Sequence, residues 1–382
     1  MSTKRILLTG GGTGGHITPL IAVAHELKKA DPTCYVLYVG ERNGKFADLL
    51  SGNKDIDEVH TIFAGKFRRY HGESLLKRLL DIKTNFLNLR DALYIFVGTI
   101  QSLFLIRKLR PDVSLLKGGF VGVPVGLASA FWHKPFVTHD SDALPGLANR
   151  VVAKWATYHA TGMPPEFYSY PPDKMRYVGV LTGADFRPVT PGIMATYRQN
   201  LSLPRQSRVL AITGGSHGAV RLNESIQKLV PTLLKEYSDL YIVHQVGKGN
   251  SALYGDFKDE RLKVLEFLQP MYQYLGSADV VVTRAGANTL AELGIQGKAC
   301  VVVPNPLLTG GHQLKNAENL VRHDAVVAVN EADFKHDPEV LNRAIRGLLQ
   351  DETRRKELGD KLQSVSVPDA AHKLAMVLLE LK

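Results

Sequence analysis

Two α/β units, each a doubly wound sheet of parallel strands, are predicted from three observations. Short apolar runs alternate with amphipathic helical segments along the whole chain. Each half opens on a strand-like run that ends in a glycine turn: Arg5–Leu8 before Thr9–Gly10–Gly11–Gly12–Thr13–Gly14–Gly15–His16, and Arg208–Ile212 before Thr213–Gly214–Gly215–Ser216–His217–Gly218–Ala219. At 382 residues the chain is long for one domain and comfortable for two.

The first turn joins a buried strand to an amphipathic segment, Leu20 to Leu27. Its glycines let the backbone come close to a ligand, and the new helix aims free N–H groups at it, so the natural guest is a phosphate or diphosphate. Gly10, Gly12 and Gly15 also satisfy the dinucleotide pattern G-x-G-x-x-G. A second strand, Cys34–Val39, ends at Gly40–Glu41, where a dinucleotide enzyme would hold a ribose; a solvated loop acid is the plainer reading. The turn alone does not decide between a cofactor and another phosphorylated ligand.

Composition narrows the class. Hydrophobic residues make up 45% and charged residues 22%, ordinary for a globular protein. Cys34 and Cys300 each adjoin an apolar run and read as buried free thiols in a reducing compartment, with no disulfide framework or zinc spacing. Lys4 and Arg5 precede a short strand, which is no secretory signal. The apolar segment Ala92–Ile106 is shorter than the ~20 residues a bilayer crossing needs, so no crossing is expected.

The net charge of +10 is concentrated: between Lys66 and Arg110, ten lysines and arginines face three acids, Glu73, Asp81 and Asp91. An anionic partner is implied. Within this stretch Leu75, Leu79, Ile82, Phe86 and Leu89 share one helical face, with Lys77, Arg78, Lys83 and Arg90 beside it. Such a helix either packs on a core with a solvated rim or lies in a bilayer interface. The mixed bases and aromatics of Gly65–Lys66–Phe67–Arg68–Arg69–Tyr70 favour the interface. Nucleic acid is not expected, because no helix-turn-helix, zinc-finger or RNA-binding-sheet signature is present.

Two further strands of the first half carry polar ends. Asp112–Leu116 ends in Lys117–Gly118–Gly119–Phe120, and Lys134–Thr138 delivers His139–Asp140–Ser141–Asp142. Ligands of open α/β sheets bind outside the carboxyl ends of strands, so this His and both acids are site candidates, Asp140 among the catalytic ones. Loop hydrogen bonding and helix capping are the alternative. Arg176–Val180 reads as the last strand, and residues 183–204 as a linker between domains 1–182 and 205–367.

The second half continues with a helix from Leu222 to about Glu236 and strands at Tyr241–Val246, Leu262–Phe267, Asp279–Thr283 and Ala299–Pro304. After Thr283 the small residues of Arg284–Glu292 form a strand-to-helix turn whose N–H groups suit a phosphate, with Glu292 one turn on for a ribose diol. Thr309–Gly310–Gly311–His312–Gln313 opens another helix, and residues 368–382 form a last amphipathic helix expected to pack on the first domain. Several phosphate-friendly turns, drawn from both halves, fit one ligand in a cleft between two domains. A nucleotide-sugar transferase needs that arrangement; a dinucleotide oxidoreductase does not.

Three segments carry a resemblance: Gly11–His16 with Pro19; Gly214–Ala219 with Leu222–Asn223; and Arg284–Glu292 followed by His312–Gln313 and Asn316–Ala317. In order and spacing they resemble the MurG family of N-acetylglucosaminyltransferases, which convert lipid I to lipid II in peptidoglycan synthesis. The resemblance implies a GT-B fold of two Rossmann-like domains, inversion at the anomeric carbon, UDP-GlcNAc as donor, and a polyprenyl-diphosphate-linked muramyl-peptide as acceptor. It also implies a peripheral position on the cytoplasmic membrane face, with the basic stretch 66–90 against an anionic surface.

Carried over, Thr13, Gly14 and Gly15 face the donor sugar and phosphate, Ser216 the diphosphate, and the Leu268 backbone the uracil. Ala287, Asn288, Thr289, Leu290 and Ala291 hold the diphosphate, Glu292 the ribose and Gln313 the sugar. His16 becomes the candidate base for the acceptor hydroxyl, a role suited to histidine near neutral pH. Helix N-termini would stabilise the leaving UDP, so no metal or other cofactor is called for.

The chain departs from the family in three places. His139–Asp140–Ser141–Asp142 replaces His-Glu-Gln-Asn, which sets Asp142 near the donor sugar where the family has a neutral amide. Gly179–Val180–Leu181–Thr182–Gly183 lacks the arginine of Gly-Asn-Pro-Val-Arg, and Thr309–Gly310–Gly311 lacks the acid before His-Gln. A related transferase with another lipid acceptor, or an inactive nucleotide-sugar-binding homologue, are the alternatives these changes leave.

Overall fold

The computed structural model describes residues 3–11, 14–42, 44, 50, 52–66, 81–215, 218–306, 309–337 and 339–381. It divides into two compact units, Met1–Gly183 with Asp369–Lys382, and Ala184–Pro368.

The first unit runs β1 (Arg5–Thr9), α1 (Gly14–Ala30), β2 (Tyr35–Glu41), β3 (Glu58–Ile62), α2 (Ile82–Leu109), β4 (Val113–Leu116), α3 (Gly122–Phe131), β5 (Phe136–Asp140), α4 (Leu147–Val152), β6 (Tyr158–Thr161) and β7 (Met175–Tyr177). Its sheet is parallel in the order β3-β2-β1-β4-β5-β6-β7. Every residue of β4 and β5 is buried, as are Ile6–Thr9 of β1. Strands covered on both faces read as continuous apolar runs, which is why they were legible without alternation. The order reverses between β1 and β4, the switch point where ligands bind in such sheets. The register sets Thr9 beside Leu116 and Leu116 beside Thr138, so the three following turns leave the sheet side by side.

The C-terminal helix, Ala370–Glu380, belongs to this unit. Its Leu374, Ala375 and Leu378 share a core with Leu20, Val23, Ala24 and Leu27 of α1. His372 Nδ1 lies 3.0 Å from Glu26 across the same contact.

Helix α2 departs from expectation in length. Its 28 residues are long and apolar enough, by length and composition alone, to cross a membrane, where the sequence reading counted only Ala92–Ile106. Asp81 starts it, accepting a hydrogen bond from Thr84 N, and Arg110 ends it in the left-handed region. One line of the helix is built into the unit: Asp91, Gly98, Ser102, Ile106 and Leu109 are buried. A Cβ on Gly98 would stand 1.9 Å from the Phe63 carbonyl oxygen, so glycine is what allows this approach. Gln101 Oε1 accepts from Phe63 N at 2.8 Å and ties the pair. The apolar face points the other way: Ile82 is 78% exposed, and Phe86, Leu89, Leu93, Phe96 and Phe104 are also exposed. Of the two readings left open, core packing therefore fails for the described part of this face, because the contact with the unit is made by the opposite line of the helix, Asp91, Gly98, Ser102, Ile106 and Leu109. Lys83 is exposed beside it, while Leu75, Lys77, Arg78 and Leu79 lie outside the described residues.

The second unit runs α5 (Pro191–Asn200), β8 (Arg208–Thr213), α6 (Val220–Glu236), β9 (Leu240–Gln245), β10 (Leu262–Leu265), α7 (Met271–Ser277), β11 (Val280–Thr283), α8 (Ala287–Ile295), β12 (Ala299–Val302), α9 (His312–Arg322), β13 (Val327–Ala328), α10 (Val340–Gln350) and α11 (Glu352–Ser364). Its parallel order, β10-β9-β8-β11-β12-β13, repeats the arrangement of the first unit, with the switch between β8 and β11. The stretch read as a linker holds α5, which is built into this unit. Thr190 caps it, and its buried Arg198 donates to the Ser277 and Ser207 carbonyls and to Asp279 at 2.7 Å. Cys34 and Cys300 are both buried and free.

Candidate active site

In the first unit the turns after β1, β4 and β5 meet at the switch point. A Cβ on Gly11 would lie 2.6 Å from Val121 Cγ2, and one on Gly119 would lie 2.7 Å from the Gly11 carbonyl oxygen. Gly118 and Gly119 have φ of 86° and 76°, a region costly for other residues. The two turns thus interlock through glycine backbone. Tyr38, from β2, donates to the Gly10 carbonyl and holds the first turn from behind.

His16 stands in the first turn of α1, against this seam. A Cβ on Gly118 would be 3.8 Å from its Cε1. Its Nδ1 is buried and makes no hydrogen bond among the described residues. Burial, with the Lys117 charge second, pushes the imidazole down to about 4. The ring is therefore the free base at neutral pH. Gly14 and Gly15 begin the same helix; Thr13 lies outside the described residues.

Lys117 follows β4 directly. Its backbone N–H donates to the Thr9 carbonyl, its side chain is 3% exposed, and its Nζ donates to Ser141 Oγ at 2.5 Å. Burial pushes the ammonium down to about 8, while Asp142 and then Asp140 pull it back up. Asp142 therefore stands near a cation of the chain's own. Sequence reasoning missed this lysine. The signal was a lysine between a buried strand and two glycines, where no solvated surface is available to it.

Asp140, read from sequence as a catalytic candidate, is held by hydrogen bonds inside the unit. It is buried, its Oδ1 accepts from Gly146 N and Asn149 Nδ2, both at 2.9 Å, and its Oδ2 accepts from Tyr170 at 2.8 Å. Burial raises its affinity for a proton, and these donors oppose the rise. These three hydrogen bonds tie the loop from Ser141 to Gly146 to the body of the unit. Tyr170 stacks on His159 at 3.7 Å between ring centres, and Tyr168 donates to the Asp142 carbonyl at 2.8 Å, so both ends of that loop are anchored.

In the second unit Thr283 lies between Thr213 and Val302 in register, which brings the turns after β8, β11 and β12 together. Gly215 and Gly218 have φ of 81° and 73°, and a Cβ on Gly218 would stand 2.4 Å from the Val246 carbonyl oxygen. Gln245 is joined to the Thr213 hydroxyl and donates to the Gly215 carbonyl at 2.9 Å. Ser216 lies outside the described residues.

Helix α8 begins after Gly286 with no side-chain cap hydrogen bond, so its first turn, from Ala287, is the donor end of the helix. Leu290 N already donates to the Gly286 carbonyl. Beneath the turn, Arg284 is buried and paired with Glu331, which also takes Arg221 at 3.1 Å. Ala291 and Glu292 follow on the helix. Part of the Glu292 side chain is exposed, yet desolvation pushes its carboxyl up to about 8.

Gln313, on α9, is buried and accepts from Asn305 N at 2.9 Å, while Asn316 donates to the Ala285 carbonyl at 3.0 Å and fixes that helix to the α8 turn. Leu268 is buried in the core that also holds Leu290. The structure thus gathers Ala287–Glu292 and Gln313 around neighbouring turns of one unit, and His16, Asp140 and Asp142 around those of the other.

The N-terminal domain of glycosyltransferase family 28 matches residues 6–161, and the C-terminal domain of that family matches residues 209–374. A Bacillus subtilis (strain 168) protein is 30% identical over 381 residues, 99% of each chain. A Salinibacter ruber protein is 32% identical over 389 residues, 100% of this chain and 98% of its own. Both are named UDP-N-acetylglucosamine--N-acetylmuramyl-(pentapeptide) pyrophosphoryl-undecaprenol N-acetylglucosamine transferase. Among solved structures, Acinetobacter baumannii MurG superposes with a TM-score of 0.70 at 25% identity, over 99% of both chains. The glycosyltransferase of kitacinnamycin, at 16% identity and a TM-score of 0.69 over all of both chains, shares the fold.

Proposed function

The chain belongs to glycosyltransferase family 28, and from that premise we propose that it transfers GlcNAc from UDP-GlcNAc to the 4-hydroxyl of lipid-linked N-acetylmuramyl-pentapeptide, the step from lipid I to lipid II. The observation that carries this reading is identity of 30–32%, end to end, with transferases of that one named activity.

The geometry supports a division of labour. The second unit takes UDP: the N-terminal turn of α8 meets the diphosphate, Glu292 accepts from the ribose hydroxyls, Gln313 binds the sugar and the Leu268 backbone meets uracil. The first unit supplies the base. The acceptor hydroxyl loses its proton to His16 as its oxygen forms the new bond to the anomeric carbon. The bond from that carbon to the diphosphate oxygen breaks with inversion, and UDP leaves with the electron pair. An imidazole already in its free-base form is ready to take that proton. Helix N-terminal N–H groups stabilise the charge that develops on the leaving diphosphate. Asp140 acts as a positioning residue, through the loop that carries Asp142.

The exposed apolar face of α2, flanked by Lys83, Arg90, Arg107 and Lys108, lies on an anionic membrane surface at the cytoplasmic face, where a polyprenyl acceptor resides. The test is UDP release from UDP-GlcNAc with a soluble lipid I analogue. Release that depends on the analogue is expected. Donor binding without release, for any lipid-linked acceptor, would refute the transferase reading.

A further inference from the structure

The glycine turn after β8 rests on a single carbonyl. Gly218 packs on Val246 so closely that a Cβ would stand 2.4 Å from the carbonyl oxygen. The turn therefore cannot move toward the end of β9, and its place follows that of Val246. The same oxygen accepts from Asn223 Nδ2 at 2.8 Å and from Asn250 Nδ2 at 3.1 Å. Asn223 stands in the first turns of α6, where its backbone N–H donates to the Ala219 carbonyl at 2.8 Å. One residue thus grips both the end of the glycine turn and the carbonyl that the turn rests on.

Behind Asn223 lies His244, on β9 and fully buried. Its Nε2 is 3.2 Å from Asn223 Oδ1, and its Nδ1 is 2.7 Å from the Tyr254 hydroxyl. The directions of these bonds are fixed. Asn223 gives its amide nitrogen to a carbonyl, so its oxygen faces the imidazole, and only an Nε2 that carries hydrogen can meet it. Burial keeps the ring neutral, so Nδ1 accepts and Tyr254 donates. Tyr254 lies in the apolar core with Leu222 and Ile226 of α6. An imidazole buried there carries a desolvation cost that leucine would not. What it adds is direction, because a fully satisfied buried network has one arrangement.

We propose that His244 is a positioning residue for the donor: as the Nε2–H tautomer it holds Asn223 on the Val246 carbonyl, and so keeps the second glycine turn where the diphosphate meets it. This rests on the proposed activity, in which that turn faces the diphosphate of UDP-GlcNAc. In the same reading uracil and ribose are met elsewhere in the unit, by Leu268 and Glu292. The effect of His244 therefore falls on the phosphates and spares the nucleoside.

The experiment compares UDP and uridine binding to the full chain, by calorimetry and by ligand-observed NMR, beside the kinetics of UDP release. His244→Leu leaves Asn223 without its donor. It should weaken UDP about tenfold and leave uridine within about twofold, with KM for UDP-GlcNAc rising and kcat changing less. His244→Gln, whose amide nitrogen can still donate to Asn223, should bind UDP within about twofold of wild type. Nitrogen NMR of wild type, with the signal assigned by its loss in His244→Gln, should show hydrogen on Nε2 and a bare Nδ1.

Wild-type UDP affinity in a folded His244→Leu protein overturns the proposal, and so does an equal loss of UDP and uridine, which marks general loosening of the unit. A wild-type ring with its hydrogen on Nδ1 overturns it without any variant. If His244→Leu does not fold, His244→Leu with Tyr254→Phe, which removes both partners of that bond together, carries the test. Failure of both to fold would make His244 a folding residue and overturn the proposal as well. A wild-type chain that binds no UDP refutes the proposed donor itself, whereas one that binds UDP with an indifferent variant refutes the role of His244 alone.

Discussion

Replacing Glu292 with glutamine should make the protein more stable and a poorer binder of UDP at the same time. Desolvation lifts the Glu292 carboxyl from 4.5 to about 8, so between those values the native chain holds a proton that the unfolded chain has released. Stability must therefore fall as pH rises through that window, by about 1.4 kcal/mol per pH unit. At pH 7 the accumulated penalty is about 3 kcal/mol, and at or below about pH 4.5 it vanishes. Glu292→Gln keeps the shape and removes the titration.

Its unfolding transition at pH 7 should rise by about 6–10 °C, measured by calorimetry, and should match wild type near pH 4.5. UDP affinity should drop by about tenfold or more, since glutamine offers the ribose hydroxyls no charge-assisted acceptor. Wild type should release a proton on binding UDP near neutrality, seen by titration calorimetry in buffers of different ionisation enthalpy; the variant should release none from this position. A stability difference equal at both pH values, or a less stable variant at pH 7, would refute the reasoning. A group that costs stability and sits beside an open helix N-terminus is the kind retained for binding.

Three further outcomes follow from the same geometry. His16→Ala should slow transfer by about a hundredfold or more while UDP binding, measured by calorimetry, stays within error, as removal of a general base predicts; unchanged turnover would make His16 a turn residue only. Glu331→Ala leaves buried Arg284 without its carboxylate and should destabilise the chain by about 3–5 kcal/mol in urea unfolding, whereas an effect below about 1 kcal/mol would show that water reaches the pair. Phe86→Ser with Phe96→Ser should weaken binding to vesicles containing phosphatidylglycerol without lowering thermal stability, because both side chains are exposed; equal vesicle binding would remove α2 from the membrane contact.

Much of this architecture was legible in the residues. Strands buried on both faces, such as β1, β4, β8 and β11, announce themselves as apolar runs before glycine turns. The strands that escaped notice were β3, β6 and β13. Glu58–Ile62 is an edge strand with exposed positions, Tyr158–Thr161 carries His159 and Thr161 inward, and Val327–Ala328 has two residues. Helix α5 was hidden because Pro191 and Gly192 look like loop punctuation, although proline suits a first helical turn.

The sequence by itself determined the doubly wound units and the positions of the glycine turns, since glycine spacing and apolar runs are local properties, while the role expected of His16 came with the family resemblance. Only the tertiary structure decided what surrounds those groups. Register sets the turns after β1, β4 and β5 side by side, and this places Lys117 against Ser141 and turns the Asp140 carboxylate inward to Gly146, Asn149 and Tyr170. It also decided that α2 meets its unit through Gly98 and Ser102 and shows its phenylalanines outward. Charge compensation and the direction of a helix face depend on neighbours distant in the chain, which no local pattern records.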